Sequence, residues 1–172
     1  MIDVARALPI LRIAESPDET APVKAFSSEG DSVVARSFND AYSISYVVEE
    51  PGALSYVRWR DVESDLDRLH AVALANLRTR ASAALRLAPR DGFIDVVLDG
   101  KVDASLVLLD ELWDGGGIIA RAVASPIVVA IPSSESLAVA TAQSASGITH
   151  LRSLRAPMLL TRRVGEWGLY GT

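Results

Sequence analysis

From Asp61 to Leu87 the chain reads Asp-Val-Glu-Ser-Asp-Leu-Asp-Arg-Leu-His-Ala-Val-Ala-Leu-Ala-Asn-Leu-Arg-Thr-Arg-Ala-Ser-Ala-Ala-Leu-Arg-Leu, and this stretch decides the fold class. Leu66, Leu69, Ala73, Leu77, Ala81 and Ala84 recur at intervals of three and four, which draws one apolar stripe along a helix. Asp61 or Ser64 stands where an N-cap is wanted, and Glu63, Asp65 and Asp67 lie near the positive end. Arg78, Arg80 and Arg86 gather near the negative end. The spacing predicts a single long helix reaching about Leu87.

Outward from that helix, the period changes from 3.6 to 2. Upstream, Tyr42, Ile44, Tyr46 and Val48 alternate as in a half-buried strand, and Pro51-Gly52 turns the chain so that Ala53 to Trp59 can return beside it. Pro9 to Ile13 reads as an edge strand because its proline stands only at the start. Ser16 to Pro22 reads as a polar loop. Val23 to Ser27 and Ser32 to Ser37 read as short strands about a turn at Glu29-Gly30-Asp31. Downstream, Phe93 to Leu98 reads as a strand, and Asp103 as the N-cap of a short helix from Ala104 to Trp113 that Gly115-Gly116-Gly117 ends. Pro126 to Ile131 and Leu137 to Thr141 are strand-length runs. Ser146 or Gly147 opens a short helix to Arg155 with Ile148, Leu151 and Leu154 on one face, and Met158 to Arg163 with Trp167 to Tyr170 closes as a hairpin. Strands outnumber helices without alternating with them. The expectation is an α+β domain over residues 1–172, an antiparallel or mixed sheet with one long and two short helices packed on it.

Composition narrows the function classes. The 172 residues contain no cysteine, which removes disulfides, thiolate metal sites and cysteine nucleophiles and fits a reducing compartment. The longest apolar candidate, Gly115 to Pro132, is broken by Arg121, Ser125 and Pro126, so no membrane span is expected. Met1 to Arg6 lacks the pattern of a signal peptide, and a cytoplasmic location is expected. The net charge of −5 argues against a nucleic-acid binder. The charge is uneven: residues 116–172 carry five basic and two acidic side chains, against an acidic first half. Hydrophobic residues make up 49% of the chain but aromatics only 6%, so thin, closely packing faces are expected, and with them association with a second copy.

Several residues invite a chemical reading, each with a structural alternative beside it. Asp103 and Ser105 place a carboxylate next to a hydroxyl, yet no Gly-x-Ser-x-Gly elbow presents the serine, and only His70 and His150 offer an imidazole base. Capping by Asp103 is the simpler account. Asn76, mid-helix among apolar neighbours, either ties the helix to a backbone or contacts a ligand. Asp91, Asp95, Asp99 and Asp103 recur every fourth residue but span a strand, a turn and a helix start, so they are not expected to converge on a cation. The histidines lack a metal-binding partner spacing, so neither metal nor cofactor is expected. His150, Arg152, Arg155, Arg162 and Arg163 form the one local basic cluster, suited to an anion or an acidic partner, or to a solvated face pairing with acidic surface. Trp59, Trp113 and Trp167 are too dispersed for a stacking platform.

Three segments in order carry a resemblance: Ala71 to Arg78; Asp99-Gly100-Lys101-Val102-Asp103-Ala104-Ser105-Leu106 with Leu108-Leu109; and Val128 to Val139. Together, and with Pro9 to Arg12 and Tyr46-Val47-Val48, they resemble the YtpQ-like family of bacterial proteins, domain of unknown function 1444. The likeness runs from about Leu8 to the end. The chain departs from the family's pattern by an extra residue between Gly100 and Asp103 and by the lack of an Asp or Arg-Asp pair after Pro132. The resemblance implies a bacterial protein and no particular activity. From the residues themselves, the expectation is a non-catalytic interaction domain that binds a protein partner and itself as a homodimer. The alternative is a small hydrolase-like or anionic-ligand-binding protein using Asp103, Ser105 and Asn76 with the C-terminal arginines.

Overall fold

The structure, a computed structural model, describes residues 2–14, 31–62, 65–163 and 165–171. The readings of Ser16 to Pro22, of Val23 to Ser27, of Glu29-Gly30 and of Ser64 lie outside the described residues. The class is α+β, and every strand pairing is antiparallel. Among the described residues there are two sheets in place of one, of four and six strands, and the chain divides into two compact units, Met1–Thr79 and Arg80–Thr172.

In the first unit a 3-10 turn, Val4–Arg6, leads into β1 (Leu8–Ile13), whose proline sits on an edge strand as its missing N–H requires. β1 pairs with β3 (Tyr42–Glu50) from Leu8↔Val47 to Ile13↔Tyr42. β2 (Ala35–Ser37) and β4 (Ala53–Tyr56) also pair with β3, which is thus the central strand. The expected half-burial of β3 holds at its ends only. Ser45 and Val47 are buried along with Ile44, Tyr46 and Val48, because a central strand is covered on both faces. The turn into β4 uses Gly52 at φ +79, a left-handed conformation that glycine adopts without steric cost.

Helix α1 (Leu66–Ala84) buries Leu69, Ala73, Leu77 and Ala81, the predicted stripe. Its cap is Asp65, whose carboxylate accepts from the Arg68 N–H at 2.8 Å. Asp61 instead closes the preceding 3-10 turn, Trp59–Asp61, by accepting from the Arg58 N–H. The helix ends before Leu87. Arg86 to Pro89 is already extended as β5, because Pro89 disfavours a helical Ala88 and because Leu87 pairs with Val96 of β6 (Ile94–Val97).

The second unit is a six-stranded sheet in the order β10-β9-β7-β8-β6-β5. The hairpin of β7 (Ile127–Ser133) and β8 (Ser136–Thr141) supplies its apolar centre, and β9 (Leu159–Arg163) with β10 (Glu166–Leu169) forms one edge. The segment expected as one helix from Ala104 to Trp113 is a 3-10 turn, Asp103–Leu108, then α2 (Asp110–Trp113); α3 (Ile118–Ala122) follows. Gly117 permits the tight return between α2 and α3, since a Cβ there would collide with the carbonyls of Glu111 and Leu112. Helix α4 (Ala145–Ser153), capped by Ser144, packs Ile148 and Leu151 on Val128, Ala130, Ala138 and Ala140. Strand alternation turns Ile127, Val129 and Leu160 to the opposite face, where the segment from Asp103 to Ala122 lies. No helix among the described residues is long and apolar enough to cross a membrane.

Candidate functional site

On that opposite face one charged side chain is driven inside. Arg162 follows Leu160 in the two-residue period of β9, so its guanidinium stands over the sheet and keeps only 3% of its surface exposed. It is neutralised on arrival. Asp114 receives both the Nε and an Nη2 hydrogen bond, the first at 3.2 Å, in a two-pronged contact. Asp110, one turn earlier, accepts from Nη2 at 2.8 Å. Trp167, the cross-strand partner of Arg162 on β10, lies under the guanidinium with its ring centre 5.2 Å from Cζ. Trp113 meets Trp167 edge to face at 4.9 Å, and the two indole N–H groups donate to the carbonyls of Leu106 and Val107. The 3-10 turn thereby fixes both rings, and the rings fix the arginine.

The electrostatics follow from this arrangement. The hydrogen bond from Arg162 holds the Asp114 carboxyl below the usual carboxylate range, against a weaker opposing effect of burial. Burial alone would lower the Arg162 pKa, but the hydrogen bond and charge of Asp114 and the charge of Asp110 outweigh it and raise it. Two carboxylates against one guanidinium leave the group with a net negative charge. Beside it opens a cleft of about 260 Å³, lined by Trp113, Asp114, Gly115, Val123, Ser125 and Arg162 among others.

The basic cluster expected from sequence is therefore divided. Arg162 points away from the face that carries α4 and is paired with two aspartates, so it does not join an exposed anion patch with His150, Arg152 and Arg155. Alternation along β9, which separates Arg162 from Arg163, is the reason. Arg152, Arg155 and Arg163 are exposed, and His150 stacks on Phe93 at 3.7 Å.

The other candidates have structural partners. Asn76, in the first unit, donates to the carbonyls of Ala5 at 3.0 Å and Ala7 at 2.8 Å, tying α1 to the chain before β1. Asp103 and Ser105 lie in the second unit. Asp103 does not cap its own helix; it accepts from the N–H groups of Asp99 and Gly100, at 3.0 and 2.9 Å, and so closes the turn before it. Ser105 is fully buried. Of the remaining regularly spaced aspartates, Asp95 pairs with Arg90 and Asp99 with Arg80. Among the described residues no three acidic or imidazole side chains converge as a metal set.

Sequence reasoning missed Asp110, Asp114, Trp113 and Trp167. The one available signal was the spacing of Asp110 and Asp114, four apart with Trp113 between them, which puts all three on neighbouring positions of a helical turn. Trp167 is 54 positions further along, and only strand pairing reveals it.

In the first unit, buried Tyr46 meets His70 Nδ1 at 3.0 Å beside an Arg36–Asp67 ion pair. Burial raises the tyrosine pKa, and burial with the Arg36 charge lowers that of the histidine. A hollow of about 640 Å³ near the start of α1 is rimmed by Asp3, Asp61 and Asp65, each of which already accepts a backbone N–H of its own turn. Compared with protein-family models, with curated proteins and with solved structures, the chain matches none.

Proposed function

We propose that this protein is a non-catalytic binding domain that associates with a second copy of itself through the β9–β10 edge of its six-stranded sheet. The observation that carries this reading is Leu169. It is 45% exposed on the outermost strand, whose outer side pairs with no other described strand. The unpaired N–H and C=O groups of an edge strand are a template for another strand, and an exposed apolar side chain at its end adds surface that pairing would bury. The candidate ligand-binding residues of the alternative reading support the non-catalytic half, since Asn76 and Asp103 are engaged with backbone and Ser105 is buried in the core. The absence of cysteine and the resemblance to YtpQ-like proteins support a bacterial cytoplasmic setting.

Light scattering tests the proposal at two protein and two salt concentrations. The expected result is a salt-insensitive mass of twice 18.4 kDa that Leu169→Lys returns to the monomer value. A salt-insensitive monomer for the unsubstituted chain, or a dimer indifferent to Leu169→Lys, overturns it.

A further inference from the structure

The donors of Arg162 are not all used. Asp114 takes Nε and one proton of Nη2, and Asp110 takes the other. Nη1 donates to none of the described residues. Among them no side-chain nitrogen or oxygen is sealed from solvent without a hydrogen bond, so Nη1 reaches solvent, and Arg162 forms part of the cleft wall. A nearly buried guanidinium thus offers two N–H groups to whatever enters a space of about 260 Å³, roughly the share of nine water molecules.

Charge decides what can enter. An anion would be drawn by Nη1 but repelled by Asp114 and Asp110, which together outnumber the guanidinium. A cation would be drawn by the carboxylates but would have to sit against Nη1. A neutral group with an acceptor and a donor side by side satisfies both: its carbonyl accepts from Nη1, and its N–H donates to Asp114. Trp113 and Val123 supply apolar wall for the attached carbons. We infer that the cleft beside Arg162 is a binding site for a neutral carboxamide group, borne by a small amide or by a glutamine or asparagine side chain. The inference is independent of self-association through β10.

Four probes of similar size separate the alternatives: propionamide, propionate, propylamine, and a blocked Gly-Gln-Gly peptide. The readout is nuclear magnetic resonance of the Trp113 and Trp167 indole N–H groups and of Arg162 Nε–H on the full chain. Propionamide is expected to shift these signals saturably, with propionate and propylamine at least about tenfold weaker, the factor expected from one charge-assisted hydrogen bond lost or opposed. A stronger response to the peptide than to propionamide assigns the amide to a protein side chain, and the reverse assigns it to a free small molecule. Ala120→Phe, which fills the cleft from the half-buried wall of α3 while leaving Arg162 and both aspartates unsubstituted, should abolish the response while leaving the dispersed spectrum of a folded chain. Binding of propionate equal to or tighter than that of propionamide, no response to any probe, or a response that survives Ala120→Phe would overturn the inference.

Discussion

Arg162 shows how unequal two partners of one charge can be. Asp114, 39% exposed, grips two edges of the guanidinium, while Asp110, 73% exposed, touches one nitrogen from the solvent side. Removing the inner partner leaves a buried cation with a single, screened contact. Asp114→Ala is therefore expected to cost about 2–4 kcal/mol in urea unfolding, below the full penalty for an orphaned buried charge because Asp110 remains. Asp110→Ala is expected to cost about 1 kcal/mol or less, as an exposed ion pair does. Equal losses for the two variants would mean that the two-pronged contact is not what holds the arginine. None of this was legible from the arginine alone, because a strand's alternation tells which residues share a face but not which face the helices cover.

At the scale of elements, Gly147 sits where α4 meets the sheet. A Cβ there would collide with the Gly92 carbonyl and stand 2.9 Å from the Ala140 Cβ. Gly147→Ala should raise local helix propensity and still destabilise, by about 1–3 kcal/mol, because overpacking against backbone outweighs the propensity gain. A stabilised variant in thermal unfolding would refute that close contact. The sequence resolved the long elements well. The stripe of α1, the alternation of Tyr42 to Val48, the β7–β8 run and the final hairpin all have enough residues for periodicity to speak. It failed where an element is too short for a period: β5 after Leu85, α3 after three glycines, and the break at Leu109 between the 3-10 turn and α2. There the outcome rests on tertiary pairing, such as Leu87 with Val96, which no local pattern contains. The site suffered most, since its acids stand on one of those short pieces and its tryptophan on another strand. Asn76 was the exception, a polar residue on an apolar stretch whose tie to the backbone was readable from its surroundings.

For the whole molecule, acid is the condition to which the two units answer separately. His70 in the first unit has a folded pKa below its unfolded value of about 6.5, so between the two the unfolded chain binds more protons. The contribution of His70 to stability is thus fully present above about pH 6.5 and is lost as pH drops through that window. Asp114 in the second unit has its folded pKa depressed. Its contribution is present above the unfolded value of about 3.9 and is lost as pH falls from there toward the folded one. Urea midpoints measured across pH should show two descending steps, and His70→Gln should flatten the upper one alone. An upper step unchanged in that variant would assign it elsewhere.

The edge-to-face contact of Trp113 with Trp167 also has an optical consequence. Two indoles this close and nearly perpendicular couple their electronic transitions, so the native second unit carries a circular-dichroism signature that neither ring gives by itself. Trp59, 38% exposed in the first unit, has no tryptophan beside it among the described residues and emits as a solvated indole. Each compact unit thereby reports on its own integrity with a native chromophore, and the two can be followed through one denaturation without any label.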